Sequence, residues 1–269
     1  MATAWYRPGV VPKIVKSWKV QVQVGIELDV EIWSTTCIVT NFKEARCPTL
    51  LNPANPSLSG VSKFPYFPVG GPEPDVLPMK DSHPIMGFVS QWGGMDVGKG
   101  MMFAANTVDG MIHLAGGKEL AANLKLQLGG KERIVEGQAV WTNGVGDYKH
   151  LIHTVPPFFD NSDDDHSENR LLQNCYQTSL SLATDRLPSE TDIRIASPLL
   201  GAGCRGFPLE EAVFHCAEAL SDLNMTISTA VDGGTNAIKG LTLAFGVPSQ
   251  DIREEMIKAF ESRINFTEV

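Results

Sequence analysis

The run Ala196-Ser-Pro-Leu-Leu-Gly-Ala-Gly-Cys-Arg-Gly-Phe-Pro-Leu-Glu-Glu-Ala212 passes from an apolar stretch into a glycine-rich turn and reopens as a helix. Those residue types suit an anion. Gly201, Gly203 and Gly206 carry no side chains, so backbone amides can converge on a phosphate, and a helix from Pro208 adds the positive end of its dipole. The residues also spell G-x-G-x-x-G, the dinucleotide fingerprint. That fingerprint belongs on the first βα turn of a doubly wound sheet, with an acid about 20 residues further on. Here only the tail of the chain follows, with Asp222 and Asp232 as the available acids. A purely structural glycine turn is the third reading.

A second constellation is Leu50-Leu-Asn-Pro-Ala-Asn-Pro-Ser-Leu-Ser-Gly60, a strand running into a proline-interrupted polar turn. Asn52 and Asn55, at the carboxyl end of that strand, either hydrogen-bond a sugar or satisfy only their own turn. Two metal readings fail on pattern. His150 and His153 fall on a predicted strand, Lys149 to Val155, where a spacing of three puts them on opposite faces. The acidic run Asp160 to Asp165 reads as a solvated loop. No cofactor is implied.

The elements that must position these residues follow from periodicity. From Trp18 to Trp33 every even position is apolar, and the phase is unbroken across Gly25, which predicts one long strand bent at that glycine. Thr36 to Thr40 and Thr49 to Leu51 are short strand candidates. Residues 61–104 hold six prolines among Phe64, Tyr66, Phe67, Phe88 and Trp92, which reads as an ordered inserted loop. After Val108 the rhythm is α/β. A helix spans Gly110 to Leu128, strands Gln138 to Thr142 and Lys149 to Val155, and a helix Glu168 to Arg186 with Leu171, Leu172, Cys175, Tyr176, Ser179, Leu180 and Ala183 on one face. A strand at Ile193 to Ser197 feeds the glycine loop. A helix from Pro208, strands near Met225 to Val231 and Leu241 to Phe245, and a last helix capped by Ser249 with Ile252, Met256, Phe260 and Ile264 follow. Strands alternating with helices predict a mostly parallel sheet covered on both faces.

Composition bounds the partners. At 269 residues the chain is one large domain or one domain with an insertion. A net charge of −9 without a basic block argues against nucleic acid or anionic membrane as partner. No stretch approaches the ~18 apolar residues of a membrane span, and the first residues lack the apolar core of a signal peptide. Five widely spaced cysteines, Cys37, Cys47, Cys175, Cys204 and Cys216, point to reduced thiols in the cytoplasm or nucleus.

Taken in order, the Asn-x-x-Asn turn, Thr107-Val-Asp-Gly-Met-Ile-His113 and the loop Pro198 to Ala212 resemble the macrodomain family, which binds ADP-ribose. Leu151-Ile-His-Thr-Val155 and Leu171-Leu-Gln-Asn-Cys-Tyr176 are similar to its intervening strand and helix. The resemblance covers roughly residues 35–262 and implies a three-layer α/β/α mixed sheet. Residues 1–34 then form an extension carrying the long strand, and 61–104 an insertion in a 35–269 macrodomain, expected to act as a lid.

By this resemblance Asn41 and Phe42 contact adenine, Asn52 shapes the turn, and Asn55 holds the distal ribose. Gly201, Ala202, Gly203, Cys204, Arg205, Gly206 and Phe207 wrap the diphosphate, and Gly110 joins the ligand-binding positions. Phe245 either lies against adenine or belongs to the core. In the MacroD-type hydrolase branch, the Asp of Val-Asp-Gly assists water attack at the anomeric carbon, which assigns Asp109; its structural alternative is an aspartate at a helix N-terminus. Phe103-Ala-Ala-Asn106 replaces the family's glycine run, Arg205 stands where the family often has another residue against the distal ribose, and Pro156 replaces a glycine.

The resemblance implies a mono-ADP-ribosyl hydrolase acting on modified protein carboxylates or on O-acetyl-ADP-ribose. A non-catalytic ADP-ribose reader is the alternative, and an ADP-ribose phosphomonoesterase a third. The implied partner is ADP-ribose or a mono-ADP-ribosylated protein.

Overall fold

The computed structural model of the chain describes residues 11–22, 27–60, 107–159, 166–187, 192–203, 205–223, 240–263 and 265–269. The 61–104 insertion, the strand expected near Met225 to Val231, Gly25, Cys204, Ile264 and the Asp160 to Asp165 run lie outside them.

Eight strands among the described residues form one mixed sheet. They are β1 (Lys13–Gln21), β2 (Glu27–Ser34), β3 (Thr49–Pro53), β4 (Ala139–Asn143), β5 (His150–Thr154), β6 (Asp192–Ser197), β7 (Gly240–Val247) and β8 (Phe266–Glu268), in the order β4-β5-β3-β6-β7-β2-β1-β8. The five from β5 to β2 run parallel; β4 and β1 flank them in the opposite direction, and β8, paired antiparallel with β1, runs with the five.

Helix α1 (Val108–Leu128) covers one face. Its residues Ile112, Leu120 and Leu124 pack with Leu50, Leu151 and Ala196. Helices α2 (Ser167–Arg186), α3 (Leu209–Ser221) and α4 (Gln250–Glu261) pack with the other-face residues Leu51, Ile152, Ile195 and Leu243. Adjacent residues of one strand thus enter opposite cores, which is why the central strands are apolar without alternation. This is the expected three-layer α/β/α arrangement.

Two local expectations are corrected, and a third is refined. The single bent strand from Trp18 to Trp33 is instead the antiparallel pair β1–β2, with Val20 opposite Leu28 and Trp18 opposite Val30. Even positions face even positions in this register, so Trp18, Val20, Leu28, Val30 and Ile32 share one buried face. A hairpin of odd loop length keeps the apolar phase as faithfully as an unbroken strand. Thr36 to Thr40 is a turn held by a bridge between Cys37 and Asn41, not a strand. Ser249 occupies the cap position of α4 but makes no side-chain capping bond.

Candidate active site

Because β2, β3, β5, β6 and β7 are parallel, their carboxyl ends share one edge of the sheet, and the segments that follow them meet there. Asn52 lies on β3 and Asn55 two residues beyond it; β6 feeds the glycine loop; β2 leads to Asn41. Helix α1 begins at the same edge. Thr107 Oγ1 accepts from the Gly110 amide at 3.0 Å, so the cap of α1 is a threonine and Asp109 is left for other work.

Asp109 is 6% exposed. Asn52 Nδ2 donates to its Oδ1 at 2.8 Å, and His113 Nε2, one helical turn on, lies 3.5 Å from the same oxygen. Burial pushes the carboxyl above its ordinary range. His113, the Asn52 hydrogen bond and the Arg205 charge, in that order, pull it partly back. His113 packs against Gly60, whose φ is +65°; a Cβ there would come within 2.4 Å of the His113 ring. Only glycine lets the asparagine turn close on the helix.

The structure places the two asparagines differently. Asn55 Oδ1 accepts from the Ser59 amide at 2.9 Å, and its Nδ2 donates to Ser59 Oγ at 3.1 Å and Gly60 O at 3.3 Å. Asn55 therefore shapes the turn. Asn52, expected to shape it, is fully buried and faces Asp109 and His153.

The glycine loop takes two left-handed residues, Gly201 at φ +84° and Gly206 at φ +75°. It closes on itself through Gly206 N to Gly203 O at 3.0 Å and Phe207 N to Gly201 O at 3.2 Å. The amides of Gly201, Ala202 and Gly203 have no acceptor among the described residues. Gly203 has open space where a side chain would stand. Arg205 ties the loop to the asparagine turn: Nη2 donates to Ala54 O at 2.9 Å, and its guanidinium lies 4.3 Å from the Phe158 ring centre.

The aromatic expectations are corrected. Phe245 is fully buried and packs on Tyr176 and Phe260, which makes it core and leaves it no face for adenine. Phe42 is buried edge-on against Trp33, and Phe207 is buried beside Phe159, so each offers backbone only. Gly110 is likewise buried. Asn41 is half-buried and donates from Nδ2 to Thr36 Oγ1 at 2.7 Å, while its carbonyl accepts from Thr35. A cleft of about 480 Å³ beside Phe42, Lys43 and Arg46 is lined by neither Asp109 nor the glycine loop.

Two histidines at the site had no role assigned from the sequence. His113 was legible as the i+4 neighbour of Asp109 on a helix. His153 was not, because its importance comes from register: it stands directly opposite Asn52 across β3 and β5. Burial, then the charge of His113, lowers its pKa from 6.5 to about 3.

The unfolded chain therefore takes up a proton below pH 6.5 that the folded chain refuses until about pH 3. Stability from this residue is complete above 6.5 and falls as pH drops, by about 1.4 kcal/mol per unit. Asp109 acts oppositely, since its raised pKa relieves a buried charge as pH falls. Urea unfolding between pH 6.5 and 4.5 should show a slope reduced by about 1 kcal/mol per unit in His153→Asn relative to wild type. Equal slopes would mean that His153 is not held neutral.

The Macro domain family model matches residues 99–216. A macro domain-containing protein of Caldanaerobacter subterraneus subsp. tengcongensis is 38% identical over 117 residues, covering 43% of this chain and 63% of that protein. An O-acetyl-ADP-ribose deacetylase of Escherichia fergusonii is 34% identical over 116 residues, covering 43% and 62%. The chain thus spans less than two thirds of the length of these curated relatives. An Oceanobacillus iheyensis macrodomain mutant solved with ADPR superposes at a TM-score of 0.53 and 18% identity, over 91% of this chain and 97% of that one. The macrodomain of the same organism solved with ADP gives 0.55 and 19%, over 93% and 96%. At such identity the structures speak for the fold, and the sequence match speaks for its centre, from the approach to α1 as far as α3. On these grounds residues 99–216 match the Macro domain family, and the described fold is that of the solved macrodomains.

Proposed function

We propose that this chain binds ADP-ribose at the carboxyl edge of its sheet and hydrolyses its bond to modified protein carboxylates, with O-acetyl-ADP-ribose as a second substrate. The observation that carries this reading is the buried Asp109, gripped by Asn52 and flanked by His113 and Arg205. Keeping a carboxylate buried with a raised pKa costs stability, and a pure reader of ADP-ribose gains nothing from it. The cap of α1 does not require it either, since Thr107 serves there.

In this reading the amides of Gly201, Ala202 and Gly203 receive the diphosphate, and the asparagine turn borders the distal ribose. Ionised Asp109 takes a proton from water as the water oxygen bonds to the anomeric carbon. The bond from that carbon to the carboxyl oxygen breaks, and the protein carboxylate leaves with its electron pair. On an acetyl ester the same water adds to the acyl carbon, the bond from that carbon to the ribose oxygen breaks, and the proton taken up by Asp109 passes to the ribose oxygen as acetic acid departs. The described cysteines Cys37, Cys47, Cys175 and Cys216 are free thiols, which supports a reducing compartment. No described helix is long and apolar enough to cross a membrane.

The names of the Escherichia fergusonii and Pantoea vagans relatives, both O-acetyl-ADP-ribose deacetylases, support the enzymatic reading over the reader. Calorimetry with free ADP-ribose and single-turnover release of ADP-ribose from a carboxylate-modified protein test the two halves separately. Binding with release supports the hydrolase. Binding without release from that protein or deacetylation of O-acetyl-ADP-ribose establishes the reader, and absence of binding removes both.

A further inference from the structure

Asn52 is fully buried, yet its side chain faces another buried side chain, His153, as well as the proposed catalytic carboxylate. Its Nδ2 lies 2.8 Å from Asp109 Oδ1 and 3.0 Å from His153 Nδ1, so both amide hydrogens are committed. His153 Nδ1 must then be the acceptor, which puts the ring proton on Nε2. That nitrogen lies 2.8 Å from Thr142 Oγ1, and the Thr142 hydroxyl donates onward to Asn143 O at 3.1 Å. Every hydrogen in this row has one direction. Reversing the Asn52 amide would aim its oxygen at a carboxylate and at a ring lone pair together, which needs an added proton on the carboxyl and the other imidazole tautomer in a sealed site.

The row also has a rigid mount. Asn52 and His153 are register partners on the parallel strands β3 and β5, and Thr142 lies on β4 beside them. Asp109 sits on a helix, whose placement against the sheet is otherwise set by non-directional apolar contacts of Ile112, Leu120 and Leu124. The bond from Asn52 is the directional contact from sheet to carboxylate among the described residues.

We propose that Asn52, His153 and Thr142 are positioning residues of the hydrolase: a hydrogen-bond row across three strands that fixes the orientation of the Asp109 carboxylate. The inference rests on the hydrolase reading for its kinetic consequence, though not for its electrostatic one. The titratable and charged groups facing the row are Asp109, His113 and Arg205.

The test compares wild type with Asn52→Leu, His153→Asn, His153→Leu and Thr142→Val. Two readouts are used: kinetics of ADP-ribose release from a carboxylate-modified protein, and the Asp109 carboxyl titration followed by carbon NMR. Asn52→Leu keeps volume and removes the donor. It should lower kcat by about 10- to 100-fold, with KM and affinity for free ADP-ribose within about threefold of wild type. It should also move the Asp109 titration up by about one pH unit. His153→Asn retains an acceptor toward Asn52 and should keep more activity than His153→Leu, an ordering that packing alone does not produce. If Asn52→Leu does not fold, Thr142→Val, which loses one hydroxyl, carries the test and should cost about threefold in kcat.

A wild-type titration and kcat in Asn52→Leu, or equal activity of the two His153 variants, would overturn the row. Should wild type bind ADP-ribose and show no turnover, the hydrolase reading fails on its own, and the titration still decides whether Asn52 tunes Asp109.

Discussion

Replacing Asp109 with alanine is expected to slow release of ADP-ribose from a carboxylate-modified protein by about 10²- to 10⁴-fold while free ADP-ribose still binds. The glycine loop and the asparagine turn belong to other segments, and neither depends on Asp109 for its internal bonds. The fold should tolerate the change. Asp109 is not the helix cap, and its removal relieves a buried charge at the cost of one unpaired Asn52 hydrogen.

The pH profile carries the sharper signature. Burial raises the Asp109 pKa, and only the ionised form can accept a proton from water. Activity of the wild type should therefore rise with pH through a limb lying above the ordinary carboxylate range, near 4. Asp109→Asn, close to isosteric and unable to titrate, should erase that limb. Wild-type rates in either variant would remove Asp109 from the mechanism.

The second large effect is expected from the glycine loop, and its three glycines should not behave alike. At Gly203 a new Cβ meets nothing within 4 Å and the backbone is not left-handed, so glutamate fits the fold. It would nevertheless set a negative charge beside the proposed diphosphate. Two unit charges about 4 Å apart in an effective dielectric near 20 repel by about 4 kcal/mol, so affinity for ADP-ribose should drop by about 10²- to 10³-fold with little change in Tm. Gly201→Ala should show the reverse. Its φ of +84° costs an L-residue about 1–2 kcal/mol, and the added methyl lies 3.0 Å from Leu172 and 3.2 Å from Phe207. Calorimetry and thermal melts on the pair separate cradle from scaffold; unchanged binding by Gly203→Glu would move the diphosphate elsewhere.

What the sequence revealed depended on the range of the interaction. Helix α2, the strands flanking it and the glycine turn are fixed by local periodicity and by residues of unusual backbone freedom, and they and α1 lie where expected within two residues. Parity failed at the amino end, because alternation reports which face a residue takes and is blind to whether the chain has turned between two residues of equal phase. For a related reason the sequence leaves Phe245 between adenine and core. Its position after the last long strand invited a surface role, while its burial is decided by Tyr176 and Phe260, distant in sequence. Asn52 and Asn55 could not be told apart in a polar turn. One lies within the β3–β5 ladder, with its amide turned to a helix 57 residues away, and the other closes on Ser59 four residues on.

The place of the β1–β2 hairpin in the strand order bears on how the chain assembles. Trp18, Val20, Leu28, Val30 and Ile32 lie on the two strands that precede all others of the sheet in sequence, and all are sealed in the folded chain. The strand that seats them, β7, begins at Gly240, with Leu28 beside Leu241 and Ile32 beside Phe245. The helix whose Phe260 packs on the Trp18 indole is later still. Until β7 and β8 are made, a two-stranded ribbon must wait with one greasy side and two unpaired edges, the combination most open to chaperone capture or to misassociation between nascent chains. Synthesis and docking are thus separated by the longest delay the topology allows, and refolding from denaturant meets the same distant closure as its slow step.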